Sequence, residues 1–119
     1  MRVRGVPAHV LAEAGARLLA SMARPPRRRL PALVLPVAGR SILQREERRL
    51  VLGVDGALRR LGIRCLRRAV IVAEMLRRRG VAARVELSVA IESPVEAHAE
   101  VEVGGQTLRR SPSKWVTLR

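Results

Sequence analysis

The hydrophobic pattern of this sequence changes from helical to strand periodicity at Gly80, and this change restricts the folds open to the chain. Residues 66–79 carry apolar side chains at helical spacing on a broad face, which predicts a central helix. Residues 81–92 and 98–103 follow strand patterns, and Gly104-Gly105 is a two-residue hairpin signal. The second half of the chain is therefore expected to contain a central helix followed by an antiparallel hairpin.

The first forty residues predict one helix and an irregular connection. Residues 8–23 have helical periodicity, whereas residues 24–29 combine two prolines with a charge cluster and are expected to be a solvated connector. Residues 30–38 are apolar but contain two further prolines, which favours an extended packed segment. An alternative is that residues 1–38 form an arm that docks on a partner or on a membrane surface. The apolar stripe of the first helix consists of Val10, Leu11, Ala14, Leu18 and Met22.

A second helix is predicted between the connector and the central helix. Ser41–Gln44 is a capping-box pattern that opens it, and Gly62 is its expected C-cap. Gly53 and Gly56 could bend this helix or divide it. Near the end of the chain, Trp115–Leu118 is expected to add a short strand to the sheet.

The composition limits both the core and the classes of partner. The 119 residues are 48% hydrophobic but include one Trp and neither Phe nor Tyr, so the core must be built from Leu, Val, Ile and Ala. The formal net charge of +14 favours an anionic partner, although Lys114 is the only lysine and an arginine-rich coding bias explains the charge as well. A nucleic-acid binder is disfavoured because the chain has almost no aromatic side chains for base stacking and no recognition-helix motif.

Cysteine usage and hydropathy bear on the compartment and on cofactors. A single cysteine cannot form an internal disulfide, and no apolar run reaches the roughly 18 residues that a membrane span needs. Glu13 and Arg17 interrupt the apolar positions where a signal peptide would have its core, so we expect a cytoplasmic protein with no membrane span. One Cys and two His without ligand spacing predict no metal site, and no cofactor is expected.

Cys65 and His98 are the candidate catalytic residues. Cys65 begins the central helix, where unpaired N–H groups and neighbouring arginines favour the thiolate. His98 follows on a predicted strand and could act as the base of a thiol nucleophile. Taken alone, each residue also fits a non-catalytic role. The cysteine could be an inert buried side chain, and the histidine an exposed strand residue.

Several segments resemble a known family when they are taken in order. Gly62–Ala69 and Leu76–Val81 look like the corresponding regions of the transglutaminase-like cysteine peptidases of lasso-peptide biosynthesis. His98-Ala99 and the following Val-rich hairpin are similar to that family's His-Ala-Trp-Val-Glu region. The resemblance extends over roughly residues 50–110, which is about half of the chain.

The resemblance implies a fold, a reaction and partners. The fold would be α+β and papain- or transglutaminase-like, with a helical N-terminal part and a central Cys-bearing helix packed on a small antiparallel sheet. Residues 1–40 would form a helix and a Pro- and Arg-rich connector, and residues 41–119 the peptidase domain. Cys65 would be the nucleophile, His98 the base, and the backbone N–H of Cys65 one oxyanion donor. The enzyme would remove the leader peptide from a lasso-peptide precursor, working with a separate leader-recognition protein and a macrolactam cyclase.

The sequence departs from the family at the position of the third catalytic residue. The family has an Asp that orients the His, and the position expected to carry it, twelve residues past His98, is Arg110. Glu100 stands where the family has Trp and shares a strand face with His98, so it is a second candidate for orienting the imidazole; Glu102 shares that face one step further away. Ser111 is expected opposite His98 in the hairpin, and Asp55 is expected to be structural. The alternative function is a catalytically impaired homologue that binds the leader peptide as a scaffold.

Overall fold

The described part of the chain folds into four helices followed by a four-stranded sheet. The computed structural model describes residues 6–23, 26–90, 96–108 and 115–118. The helices are α1 (Ala8–Ala23), α2 (Pro26–Val34), α3 (Arg45–Arg60) and α4 (Cys65–Arg78). The strands are β1 (Ala83–Ala90), β2 (Glu96–Val103), β3 (Gln106–Thr107) and β4 (Trp115–Leu118). This order confirms the predicted α+β class.

Helix α4 is the centre of the fold, as its broad apolar face predicted. Most residues from the second turn of α4 onward are buried against the sheet and the other helices. They are buried because apolar side chains cover more than one side of the helix. Gly80 has φ +80°, so the chain can turn there into β1, and the predicted cap is confirmed. The buried residues of α4 are Ala69, Val70, Ile71, Val72, Ala73, Met75 and Leu76.

The sheet is antiparallel, with the strand order β3-β2-β1-β4. The β2–β3 hairpin closes at Gly104-Gly105, whose φ values of +60° and +82° are those that a two-residue turn of this kind requires. Val103 pairs with Gln106, which is the predicted register. The strand Trp115–Leu118 is also confirmed, and it pairs with β1 at the opposite edge. The same register would place Ser111 opposite His98, but Ser111 lies outside the described residues.

Helix α1 has the predicted bounds, but its packing face differs from the predicted stripe. Val10 and Ala14 are buried in the core, and Leu18 packs partly against it. Met22 is 66% exposed, so its place in the stripe was wrong. Ser21 is fully buried instead, because its hydroxyl donates to the Leu18 carbonyl at 2.7 Å and so keeps its polar group satisfied.

Helix α2 replaces the connector and the extended segment that the prolines predicted. Residues 24 and 25 lie outside the described residues, but residues 26–34 are helical, so the prediction was wrong there. Pro26 is the first helical residue, where a missing N–H costs little. The last turn of a helix leaves its backbone carbonyls without partners inside the helix. At the C-terminal end of α2, Arg77 of α4 supplies hydrogen-bond donors to such carbonyls. Its guanidinium donates to the carbonyls of Ala32 (3.0 Å), Leu33 (3.2 Å), Leu35 (2.9 Å) and, on β1, Ala83 (2.7 Å).

Helix α3 begins one turn later than the capping-box pattern at Ser41 predicted. Its N-cap is Gln44, which forms a capping box with Glu47. Glu47 also accepts two hydrogen bonds from Arg40, at 2.8 and 2.7 Å, and Arg40 is bridged to Val81 beside the sheet. These contacts hold the preceding residues away from the helix. Helix α3 then continues without a break through both glycines and ends before Gly62, whose φ of +79° confirms the predicted cap.

Candidate functional site

Cys65 is the first residue of α4, and its thiol is half-buried and free. The N-cap is Arg64, with φ −68° and ψ 157°, and its side chain forms no capping hydrogen bond. Arg64 therefore does not cap the first-turn N–H groups of α4. Uncapped N–H groups at the start of a helix stabilise negative charge. The structure thus places the candidate nucleophile where the sequence predicted it.

His98 lies on β2, opposite Ser88 of β1. Its Nε2 is 3.1 Å from Oε1 of Glu100, the second residue along the same strand. The His98 side chain is 26% exposed, whereas that of Glu100 is 8% exposed. A mostly buried carboxylate thus contacts an imidazole that retains access to solvent.

Cys65, His98 and Glu100 line one small cavity of about 40 Å³ between α3, α4 and β2. Four consecutive residues of β2, 98–101, line it. Successive side chains of a strand point to opposite faces, so the cavity runs along the edge of β2. Ala99 and Val101 belong to the core that packs on α4, and His98 and Glu100 alternate with them. The structure therefore brings the two candidate catalytic residues to one cavity at a strand edge.

A half-buried ion pair lies beside Cys65 in the same cavity. The Arg68 Nε donates to Oδ1 of Asp55 at 3.0 Å, and its Nη1 donates to the carbonyl of Ile63 in the turn before Cys65. The sequence placed Asp55 on the preceding helix in a structural role, which this contact supports. It did not identify Arg68 as its partner, although Arg68 follows Cys65 by three residues and so lies on the same side of the helix.

The other predicted residues near the hairpin fall into two groups. Glu102 pairs with Arg84 of β1 and accepts the backbone N–H of Gly105, so it supports the hairpin. Arg110, where the resemblance predicts an Asp, lies outside the described residues. Within residues 6–23, 26–90, 96–108 and 115–118, no three His, Cys, Asp or Glu side chains group as a metal site would require.

A larger groove of about 750 Å³ lies elsewhere, between α1 and the end of α4. Glu13 lies in it and accepts two hydrogen bonds from Arg79, at 3.2 and 2.7 Å. These hydrogen bonds lower the pKa of Glu13. The carboxylate is already paired, and no Cys, Ser or Thr is among the described residues that line this groove.

A family model described as the transglutaminase-like superfamily matches residues 4–119. The chain belongs to the transglutaminase-like superfamily. This superfamily includes cysteine peptidases, and the match extends over the N-terminal helices as well as the residues around the cavity. No curated protein and no solved structure matches the chain. None of the helices in the described residues of this transglutaminase-like chain combines the length and the apolar character that crossing a membrane would require.

Proposed function

We propose that this transglutaminase-like protein is a cysteine peptidase that removes the leader peptide from a lasso-peptide precursor. The observation that carries the proposal is the cavity that Cys65 and His98 share, with the thiol at the start of α4. The superfamily supports the reaction class, and the sequence resemblance around both residues supports the substrate.

The mechanism follows from the positions of the two residues. His98 takes the thiol proton, and the Cys65 sulfur attacks the scissile carbonyl carbon of the precursor. The resulting oxyanion is stabilised by the backbone N–H of Cys65, which points out of the first turn of α4. Collapse of this intermediate breaks the C–N bond, and the imidazolium gives its proton to the leaving amine. Water, deprotonated by His98, then hydrolyses the thioester and releases the leader peptide.

Charge and cavity size are consistent with a peptide substrate that is bound largely outside the cavity. The net charge of +14 attracts acidic peptide segments. A cavity of about 40 Å³ has room for little more than the scissile bond and small side chains. Most of the binding energy for the leader must therefore come from other surfaces, which agrees with a separate leader-recognition protein. A macrolactam cyclase would then use the released core peptide, and the reduced cytoplasm would keep the single thiol active.

The test is cleavage of the precursor by the purified full chain together with its leader-recognition protein, followed by mass spectrometry. We expect one cut at the leader–core junction that Cys65→Ala abolishes and His98→Asn reduces at least a hundredfold. His9, exposed on α1, provides the matched control, and His9→Asn should cut at the normal rate. An uncut precursor with retained leader binding would contradict the proposal and favour the impaired scaffold.

A further inference from the structure

Glu100 occupies an environment that favours a fixed contact with His98. Its side chain is 8% exposed, and a carboxylate is costly to bury unless a cation or hydrogen-bond donor compensates for the lost water. The Nε2 of His98 lies 3.1 Å from Oε1, within the range of a charge-assisted hydrogen bond. Both residues belong to one strand, so the two-residue period of β2 alone sets them on one face.

The charged neighbours of this contact come from β1, from the rest of β2 and from the Arg68–Asp55 ion pair, which lines the same cavity. Glu86 lies directly opposite Glu100, so a second carboxylate adds negative potential near the imidazole. The next pair on that face, Arg84 and Glu102, is held together by contacts of 2.7 and 2.6 Å. The His98–Glu100 contact thus lies in a row of charged side chains that the β1–β2 pairing sets side by side.

We propose that Glu100 is the positioning residue of His98. It would orient the imidazole as the Asp on the next strand does in the family that the sequence resembles. The proposal rests on the proposed peptidase function. Because Nε2 faces the Glu100 carboxylate, Nδ1 is the ring nitrogen left for proton exchange with the Cys65 thiol under this proposal. Glu100 acts through His98 and does not touch the substrate.

The test measures the reactivity of Cys65 without any precursor. Iodoacetamide alkylates the thiolate, so the labelling rate of the full chain near neutral pH reports how well His98 draws the proton from Cys65. Glu100→Met removes the acceptor while keeping the side-chain length, and it is made both in the native background and with His98→Asn. Glu102→Gln is the matched control, since it alters a buried carboxylate of the same strand that binds Arg84.

We expect Glu100→Met to slow labelling about tenfold when His98 is present and to leave it unchanged in the His98→Asn background. Removing the orienting carboxylate of a serine protease costs about 10⁴ in rate, and a thiol at a helix start depends on it less. Glu102→Gln should label at the native rate in both backgrounds. Glu100→Gln keeps an acceptor oxygen and should recover part of the loss.

Two results would overturn the proposal. One is an equal slowing by Glu100→Met with and without His98, which would mean a purely structural role. The other is native labelling by a folded Glu100→Met protein, with its fold checked by near-ultraviolet circular dichroism. If the native chain fails to cut any precursor while the dependence on His98 holds, the peptidase function fails and the positioning role of Glu100 stands.

Discussion

The ion pair between Arg68 and Asp55 should contribute strongly to stability, because it joins α3, α4 and the turn before Cys65. The side chains are 14% and 18% exposed, and the Arg68 guanidinium also holds the Ile63 carbonyl. We predict that Arg68→Met will lower the free energy of unfolding by about 4 kcal/mol and Asp55→Asn by about 2 kcal/mol.

These magnitudes follow from the geometry of the pair. At 3.0 Å and an effective dielectric constant of about 20, the attraction between the charges of Arg68 and Asp55 is about 5.5 kcal/mol. Desolvation of two half-buried groups offsets several kcal/mol of this, which leaves a net coupling of about 2 kcal/mol. The hydrogen bond to the Ile63 carbonyl adds about 2 kcal/mol, which is lost only when Arg68 is replaced.

Urea unfolding of the two single variants and the double variant measures this coupling. The double variant should lose about 4 kcal/mol, no more than Arg68→Met alone, because the pair can be broken only once. Arg67→Met is the matched control on the same turn, since the Arg67 Nε is buried and forms no hydrogen bond within the described residues. This substitution should change the free energy of unfolding by less than about 1 kcal/mol. Additive losses in the double variant would refute the assigned coupling.

Two further predictions concern the packing of the helices and the pH dependence of stability. Arg77→Ala leaves four backbone carbonyls without their donor and should lower the free energy of unfolding, measured by thermal unfolding, by about 3 kcal/mol. Arg78→Ala, at an exposed position, should change it by less than about 0.5 kcal/mol. Equal effects of the two substitutions would contradict the role of Arg77. Hydrogen bonds from arginines lower the pKa of Glu13 and of Glu47 below the usual 4.5, so their stabilisation is complete above about pH 4.5 and is lost as the pH falls through the lowered values. Melting temperatures measured from pH 6 to pH 3 should therefore fall, and Glu13→Gln or Glu47→Gln should flatten that fall; an unchanged slope in both variants would contradict this.

The second half of the fold could be predicted because its signals are local. The apolar face of α4, the alternation of β2 and the Gly104-Gly105 turn each specify one conformation with little help from distant residues. The hairpin register follows from the turn alone, since a two-residue loop leaves only one pairing for Val103 and Gln106. The positions of Cys65 and His98 followed from these same elements.

The first half was harder to predict because tertiary contacts decide its local structure. The prolines around residues 26–34 favour a connector, but Arg77, more than forty residues later, donates to the carbonyls at the end of that segment and stabilises a helix. The start of α3 likewise depends on Arg40, which binds Glu47 while it bridges to Val81. No local window of sequence contains both Arg77 and the end of α2, or both Arg40 and Val81.

The site itself falls between these two cases. Strand alternation predicts that His98 and Glu100 share a face, but not that the carboxylate is buried against the imidazole. If Glu100 positions His98, their relative placement depends on the backbone of one strand, whereas an orienting Asp on the next strand depends on hairpin register as well. A one-residue slip of that hairpin would remove the Asp from reach but would leave the His98–Glu100 contact intact. In this chain the order of the candidate cavity therefore depends mainly on how β2 packs against α4, and α4 is the most deeply buried of the described helices.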